Sequence, residues 1–347
     1  MEIFKPNINI NFVGRINLWI GISIVTVIIS ISSLVYHKGL NPGIDFAGGT
    51  LVEVHFNNNN ASINDVRDAI SAVGLATSGI QQSGEGNVLI KTELSESGKI
   101  SDRIKSALND KFGKGSFRIE RVEMVGPATG ADLRLKAQTA LLFSIIGMII
   151  YISYRFQNRI TIPIISVALV TWFLSTVNWI PVTTLCIISL VATLAACIWF
   201  DLRQAFGSII ALIHDVIVAV GALSLTGREF SLTTLAAILT IIGYSMNDTI
   251  VVYDRIRENL NKRKDIPLGE LINRSINETL SRTILTSGLT LLTIVALYIY
   301  GGPVINDFSF ALLVGIVTGT YSSIYVASST LVIWDRIAGS SKKNKKK

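Results

Sequence analysis

Long uncharged apolar runs separated by short basic junctions make up most of the chain, and one polar stretch of about a hundred residues near the start breaks the pattern. The first run, 17–36, holds twenty residues without a charge. Later windows fall at 137–154, 160–179, 181–200, 204–227, 230–253, 283–305 and 308–334, free of charge apart from Asp215 and Asp248. Each approaches the ~20 residues an α-helix needs to cross ~30 Å of hydrocarbon, so about eight transmembrane helices are expected. The first run has no small-residue cleavage site, and 1–36 reads as an N-terminus followed by a retained first span.

Within 37–136 the period changes. Val52, Val54 and Phe56 alternate as in a half-buried strand, whereas Ile63, Val66, Ala69, Ile70 and Val73 recur at helical spacing. The pattern predicts strand 50–56, helix 62–73, strand 76–82, strand 87–93, helix 97–111 and strand 116–125. That β-α-β-β-α-β order is the ferredoxin-like α+β arrangement. The expected fold class is therefore a polytopic α-helical membrane protein with an external ferredoxin-like domain between helices 1 and 2. A membrane bundle over 137–335 and a basic tail over 336–347 complete it. Between the sixth and seventh windows, Arg255 to Arg282 is polar and basic. There Pro267 precedes Leu268, Leu271, Ile272, Ile276 and Leu280, which predicts an amphipathic helix at the inner surface, against lipid or against the bundle.

Composition agrees with lipid as the main solvent. Half of the 347 residues are hydrophobic and only 16% are charged, against ~25% in soluble domains. The net charge of +7 lies entirely outside 37–136, where 12 Lys/Arg face 12 Asp/Glu. Those excess cations flank spans rather than cover a folded face, which argues against nucleic acid as a partner. Arg155, Arg159, Arg203, the cluster from Arg255 to Lys264 and the lysine tail fall on one side; the opposite short loops hold only Arg228. By the positive-inside rule both termini are inside and 37–136 is outside.

Candidate chemistry centres on charge within the apolar windows. A carboxylate at the bilayer centre costs ~2.5–3.5 kcal/mol on insertion scales, so Asp248 needs a polar partner, a water cavity or a proton. Asp215 in the preceding window poses the same demand. Together they suggest a proton pathway; the alternative is a structural hydrogen bond tying helices together. Asp215 is expected near the midplane and Asp248 nearer the inner end, ~10 Å apart in depth, which suits a relay through water rather than contact. Thr240, Tyr244 and Asn247 form a polar stripe expected to face the interior. His214 could titrate, but its neighbour Asp215 should point ~100° away, so the two are not expected to face one spot.

Other chemistries find little support. His37, His55 and His214 are scattered, so no metal site is expected, and Cys186 and Cys197 lie ~16 Å apart on one helix, too far for a disulfide. Ser245 lies near Asp248 without a histidine at its depth, and no enzyme or cofactor is indicated. Gly315, Gly319, Ser323 and Ala327 repeat every four residues, a ridge for close packing against an intrachain neighbour or a partner subunit. The run over 41–50, with Gly43, Asp45, Gly48 and Gly49, lacks the GK[ST] ending of a phosphate loop.

Four stretches carry a family resemblance: GIDFAGGT at 43–50, VGPATGADLRLKA at 125–137, ALIHDVIVAVGALSL at 211–225 and AAILTIIGYSMNDTIVVYDRIRENL at 236–260. In that order, and over nearly the whole chain, they resemble the SecD/SecF family within the resistance-nodulation-division exporter superfamily. The resemblance implies a SecF-type auxiliary subunit of the Sec export machinery in the bacterial inner membrane. Its implied partners are SecD, the SecYEG channel and the SecA motor, with YajC, YidC, the translocating polypeptide and membrane lipid as further contacts. It also implies use of the proton-motive force in late steps of translocation. Carried over residue by residue, Asp248 becomes the first candidate for a proton-linked group, with Asn247 orienting it, and Asp215 the second. Asp254, Arg255 and Arg257 become charges at the cytoplasmic face. Family members usually have six spans, so 157–202 reads as an inserted hairpin in which Trp172, Trp179 and Trp199 are candidate interface anchors. Two other readings stay open: a proton-driven exporter half for small molecules or lipids, and a purely structural scaffold.

Overall fold

The computed structural model describes residues 9–57, 62–75, 79–82, 86–92, 97–156, 169–174, 181–262 and 266–344. A short 3-10 turn, Val13–Arg15, leads into α1 (Ile16–Tyr36), which rises without a charge. Two residues of β1 (Asn41–Pro42) and one helical turn, α2 (Ile44–Ala47), then connect to the polar stretch. Its elements are β2 (Gly49–Phe56), α3 (Ile63–Ser71), β3 (Gly79–Gln82), β4 (Asn87–Thr92), α4 (Ser97–Phe112) and β5 (Phe117–Val125). The strands form one antiparallel sheet in the order β3-β4-β2-β5.

Alternation explains this sheet's core. Val52, Val54, Val88 and Ile90 point to one face and are buried against Val66 and Ile70 of α3 and Ile100, Ile104 and Leu108 of α4. Ser62 caps α3 through the Asn64 amide at 3.2 Å, which fixes where that helix begins.

The membrane part contains α5 (Pro127–Phe156), α6 (Val182–Trp199), α7 (Arg203–Leu225), α8 (Leu232–Lys262), α9 (Leu268–Tyr300), α10 (Pro303–Ser322) and α11 (Ser328–Asn344), with a π turn over Ser323–Ala327 joining the last two. Among the described residues the protein is mostly helical, with seven helices long and apolar enough to cross a membrane. The expected window at 160–179 lies largely outside them; residues 169–174 are helical, and Trp179 is not described. Trp172 and Trp199 are both exposed.

Two boundaries depart from the sequence reading. The helix entering the membrane starts at Pro127, ten residues before the apolar window at 137, because proline suits a first helical position. The amphipathic segment at 268–280 is not a separate surface helix but the first part of α9, a continuous helix of 33 residues. Leu271, Ile272, Ile276 and Leu280 are buried in the bundle core. The N-terminal segment lies along the same helix: Phe12 and Ile10 donate backbone N–H groups to Asn273 Oδ1 at 2.7 Å and Asn277 Oδ1 at 2.9 Å.

Helices α7, α8 and α10 form the centre, and their spans bury half or more of their apolar windows, against 17% for α1 and α9. Small residues set the spacing. A Cβ on Gly221 would lie 2.2 Å from Ser30 Cβ of α1, and one on Gly315 would lie 2.3 Å from the Ile241 side chain of α8. Gly319 sits over Ser245 of the same helix, and Tyr253 donates its hydroxyl to the Ala327 carbonyl at 2.8 Å. The ridge of Gly315, Gly319, Ser323 and Ala327 thus has its neighbour within the chain. Gly315→Leu is expected to cost about 1–3 kcal/mol by overpacking against Ile241. Thermal unfolding of the purified protein measures it; an unchanged midpoint means α8 and α10 do not depend on this close approach.

Candidate functional site

Asp215 is fully enclosed in the bundle, with no exposed surface. Its Oδ2 accepts hydrogen bonds from Ser245 Oγ of α8 at 2.5 Å and Ser322 Oγ of α10 at 2.6 Å. His214 Nδ1 lies 3.0 Å from its Oδ1. Three helices therefore converge on one carboxylate: α7 carries it and the His214 ring, and α8 and α10 each supply a small hydroxyl side chain that lets backbones approach. The expectation that His214 and Asp215 cannot face one spot is corrected. Neighbouring Cβ vectors do diverge on a helix, but the imidazole is long enough to swing back across the gap. The other ring nitrogen, Nε2, is buried without a hydrogen-bond partner among the described residues.

Asp248 is also buried, 4% exposed, on α8. Its Oδ2 accepts from Ser287 Oγ of α9 at 3.1 Å, and Ser287 in turn accepts from Thr320 Oγ1 of α10 at 2.8 Å. Arg282, one and a half turns before Ser287 on α9, lies within electrostatic reach of this carboxylate. The two acids are nearer in depth than the sequence suggests. Ser245, level with Asp215, is three residues before Asp248, ~4.5 Å along the helix axis rather than ~10 Å. The helices do not cross the membrane in the parallel register that counting from apolar ends assumes.

Asn247 does not orient Asp248. It is exposed on the outer face of α8, as is Thr240, while Tyr244 is half-buried with its hydroxyl 3.4 Å from Thr290 Oγ1. The polar stripe thus faces outward, and the interior face of the helix carries Ser245, Asp248 and Thr249 instead. Sequence reasoning missed Ser287, Thr320, Ser322 and Arg282. Their available signal was the presence of small hydroxyls within the apolar windows 283–305 and 308–334, and of a cation directly before the first of these.

At the far end of α8 the charges pair among themselves. Asp254 meets Arg155 of α5, and Arg255 bonds Glu278 of α9 at 2.6 Å and Glu258 at 2.7 Å. Asn259 and Arg274 also hold Glu278, at 2.8 and 2.9 Å. Arg255 is therefore committed to this network and not to the intramembrane acids, and Arg257 is exposed.

At the opposite end, the segment with Gly43, Asp45, Gly48 and Gly49 meets the start of α8. β1 pairs in parallel with β6 (Glu229–Phe230), and Asp45 Oδ2 accepts from the Leu232 amide at 2.9 Å. Arg228, the lone cation of these loops, is neutralised by Asp307 at 2.5 Å and lies 4.2 Å over the Phe310 ring. Glu229 approaches Lys91 of β4 at 3.5 Å. Burial pushes the Glu229 carboxyl above the ordinary range; Lys91 opposes the shift, and the charges of Asp307 and Asp45 add to it. A carboxyl raised in the folded state contributes stability that is present below its unfolded pKa and lost as pH rises through its folded pKa. Glu229→Gln is accordingly expected to raise the thermal midpoint at neutral pH and to flatten its pH dependence on the acidic side. A lower midpoint at pH 7 would mean that the Lys91 pairing outweighs the cost of burial.

Comparison with known proteins gives a consistent result. The family described as "Protein export membrane protein SecD/SecF, C-terminal" matches residues 104–184 and 175–337, and the "SecD/SecF GG Motif" family matches residues 34–59. The chain is 40% identical to a protein translocase subunit SecF of Calditerrivibrio nitroreducens, covering 96% of both chains. It is 39% identical to that of Desulfurispirillum indicum, over 91% of this chain and 88% of the relative. Among solved structures, SecDF from Thermus thermophilus, described as a translocon-associated membrane protein, superposes with a TM-score of 0.73 at 32% identity. That match covers 96% of this chain but 40% of the longer SecDF chain. A super-membrane-facing form of SecDF matches with a TM-score of 0.62 at 31% identity.

Proposed function

Because the chain belongs to the SecD/SecF family and is a SecF-type auxiliary subunit of Sec protein translocation, we propose that it couples the proton-motive force to late steps of polypeptide export, with Asp248 as its proton-linked group. The observation that carries this reading is the setting of Asp248. The carboxylate is buried at membrane depth, has one described hydrogen-bond donor in Ser287, and stands near a cation, Arg282, across a helix interface. Such a group can exchange a proton for an ion pair when α8 and α9 shift. Asp215 is held by donors from three helices, which favours the structural role for that residue.

The outward stripe of Thr240, Tyr244 and Asn247 suits a partner better than lipid, since an exposed amide in hydrocarbon is costly. SecD is the partner assigned to this face, within an assembly that includes the SecYEG channel and SecA, with YajC and YidC at its margin. The protein is placed in the bacterial inner membrane with both termini inside and an outer ferredoxin-like domain over about 37–136. About eight spans result, the hairpin at 157–202 being an addition to a core of six. Depletion of the chain, followed by pulse-labelled export with and without an uncoupler, tests the proposal. Re-supplied protein should restore a component of export that the uncoupler removes. Restoration that the uncoupler leaves untouched supports a scaffold instead.

A further inference from the structure

The GG motif touches three bodies at once. Gly49 opens β2 and pairs with Val125, tying the motif to the sheet. Gly48 has φ +76°, and a Cβ there would lie 3.2 Å from Pro127 Cα at the start of α5. Gly130 of α5 packs on the Gly48 amide, and Arg134 donates to the Phe46 carbonyl at 2.9 Å. Toward α8, the Gly43 amide donates to the Phe230 carbonyl at 2.9 Å, and the Phe46 and Phe230 rings stack at 5.5 Å. Asp45 makes the one side-chain hydrogen bond described from this motif to the helix itself, at Leu232 N.

We propose that Asp45 is a positioning residue, holding the end of α8 in register with the sheet so that movement of the one is conveyed to Asp248 on the other. This rests on the proton-linked reading of Asp248. Local capping does not need Asp45, because Ser231 already accepts from the Thr234 amide at 3.3 Å. The first free amide of α8 is instead taken by a residue 187 positions earlier in the chain. Asp45 also stands close enough to Glu229 to raise that carboxyl, a like-charge neighbour that a mere spacer would avoid. The positive end of the helix dipole makes the extra carboxylate tolerable. Sheet, α5 and α8 thereby meet at one turn, and among the hydrogen bonds described the one to α8 alone uses a side chain of the motif itself, one that can let go and re-form.

The test uses the complex with SecD in membrane vesicles and reads export of a labelled precursor with and without an uncoupler. In Asp45→Ala the uncoupler-sensitive increment is expected to fall about five-fold while uncoupled export is unchanged. Asp45→Asn, whose amide oxygen still accepts from Leu232 N, should retain most of it. Leu232→Pro removes the donor from the other side at a position where proline is favoured, and should match Asp45→Ala, with no further loss in the double variant. Full increments in Asp45→Ala and Leu232→Pro overturn the proposal, as does loss of SecD co-isolation in parallel with the increment. Should Asp45→Ala fail to accumulate, Leu232→Pro decides alone. Asp248→Asn runs alongside. If it loses the increment while Asp45→Ala keeps it, only the positioning role fails; if it keeps the increment while Asp45→Ala loses it, the proton reading fails and takes with it the route through Asp248, while the need for Asp45 to hold α8 stands.

Discussion

Asp248→Asn should abolish the part of export that an uncoupler removes, while the protein still accumulates and still binds its partner. Asparagine keeps the shape of the side chain and can accept from Ser287 as the carboxylate does, so packing at the α8–α9 contact survives. On the proton-linked reading, what disappears is the ability to gain and lose a proton, and with it the alternation between a neutral acid and a charge within electrostatic reach of Arg282. The exchange is energetically large, since an unpaired intramembrane carboxylate costs several kcal/mol. Pulse-labelled export in depleted cells carrying the variant measures it. Wild-type export with its uncoupler sensitivity intact is the outcome that defeats the assignment.

The second large effect belongs to Asp215 and is one of stability. Asp215→Ala leaves the hydroxyls of Ser245 and Ser322 and the His214 ring without their common acceptor in a site closed to water. Stranding buried polar groups costs about 1–3 kcal/mol each, and the cavity adds to that. The variant is expected to melt well below the wild type and to accumulate poorly. Asp215→Asn, which keeps an acceptor oxygen, should recover most of the loss. Thermal unfolding of both variants separates this from a proton-carrying role, in which asparagine would be as damaging to export as alanine while leaving the melting temperature intact.

Periodicity made much of this architecture legible. Strands with period two and helices with amphipathic spacing, such as β2 and α3, read clearly because their faces meet different surroundings. Uncharged windows located α1 and α6 to α8 for the same reason. Where one helix passes from a half-wet to a fully apolar setting, as α9 does near Arg282, the pattern changes without a break in the backbone, and periodicity alone reads two segments in one helix. The two-residue β1 and β6 are too short to carry any pattern. At the site, the spacing of Thr240, Tyr244 and Asn247 puts them on one face, but nothing in a single helix tells which face its neighbours cover, and the expected inward orientation is the reverse of the one observed. The serines that hold Asp215 and Asp248 come from three helices, and only the relative depth of those helices brings them together.

The lengths of α8 and α9 have a mechanical corollary. At 31 and 33 residues they are ~46 and ~50 Å long, well beyond a hydrocarbon layer of ~30 Å. Their protruding ends are bolted together by Asn259, Glu278, Arg255 and Arg274. A tilt pivoting at Asp248 acts on an arm of ~21 Å to Lys262, so ten degrees sweeps the tip through roughly 4 Å. A small change of helix tilt about a buried carboxylate would thus emerge at the surface as a stroke large enough for a neighbouring protein to feel.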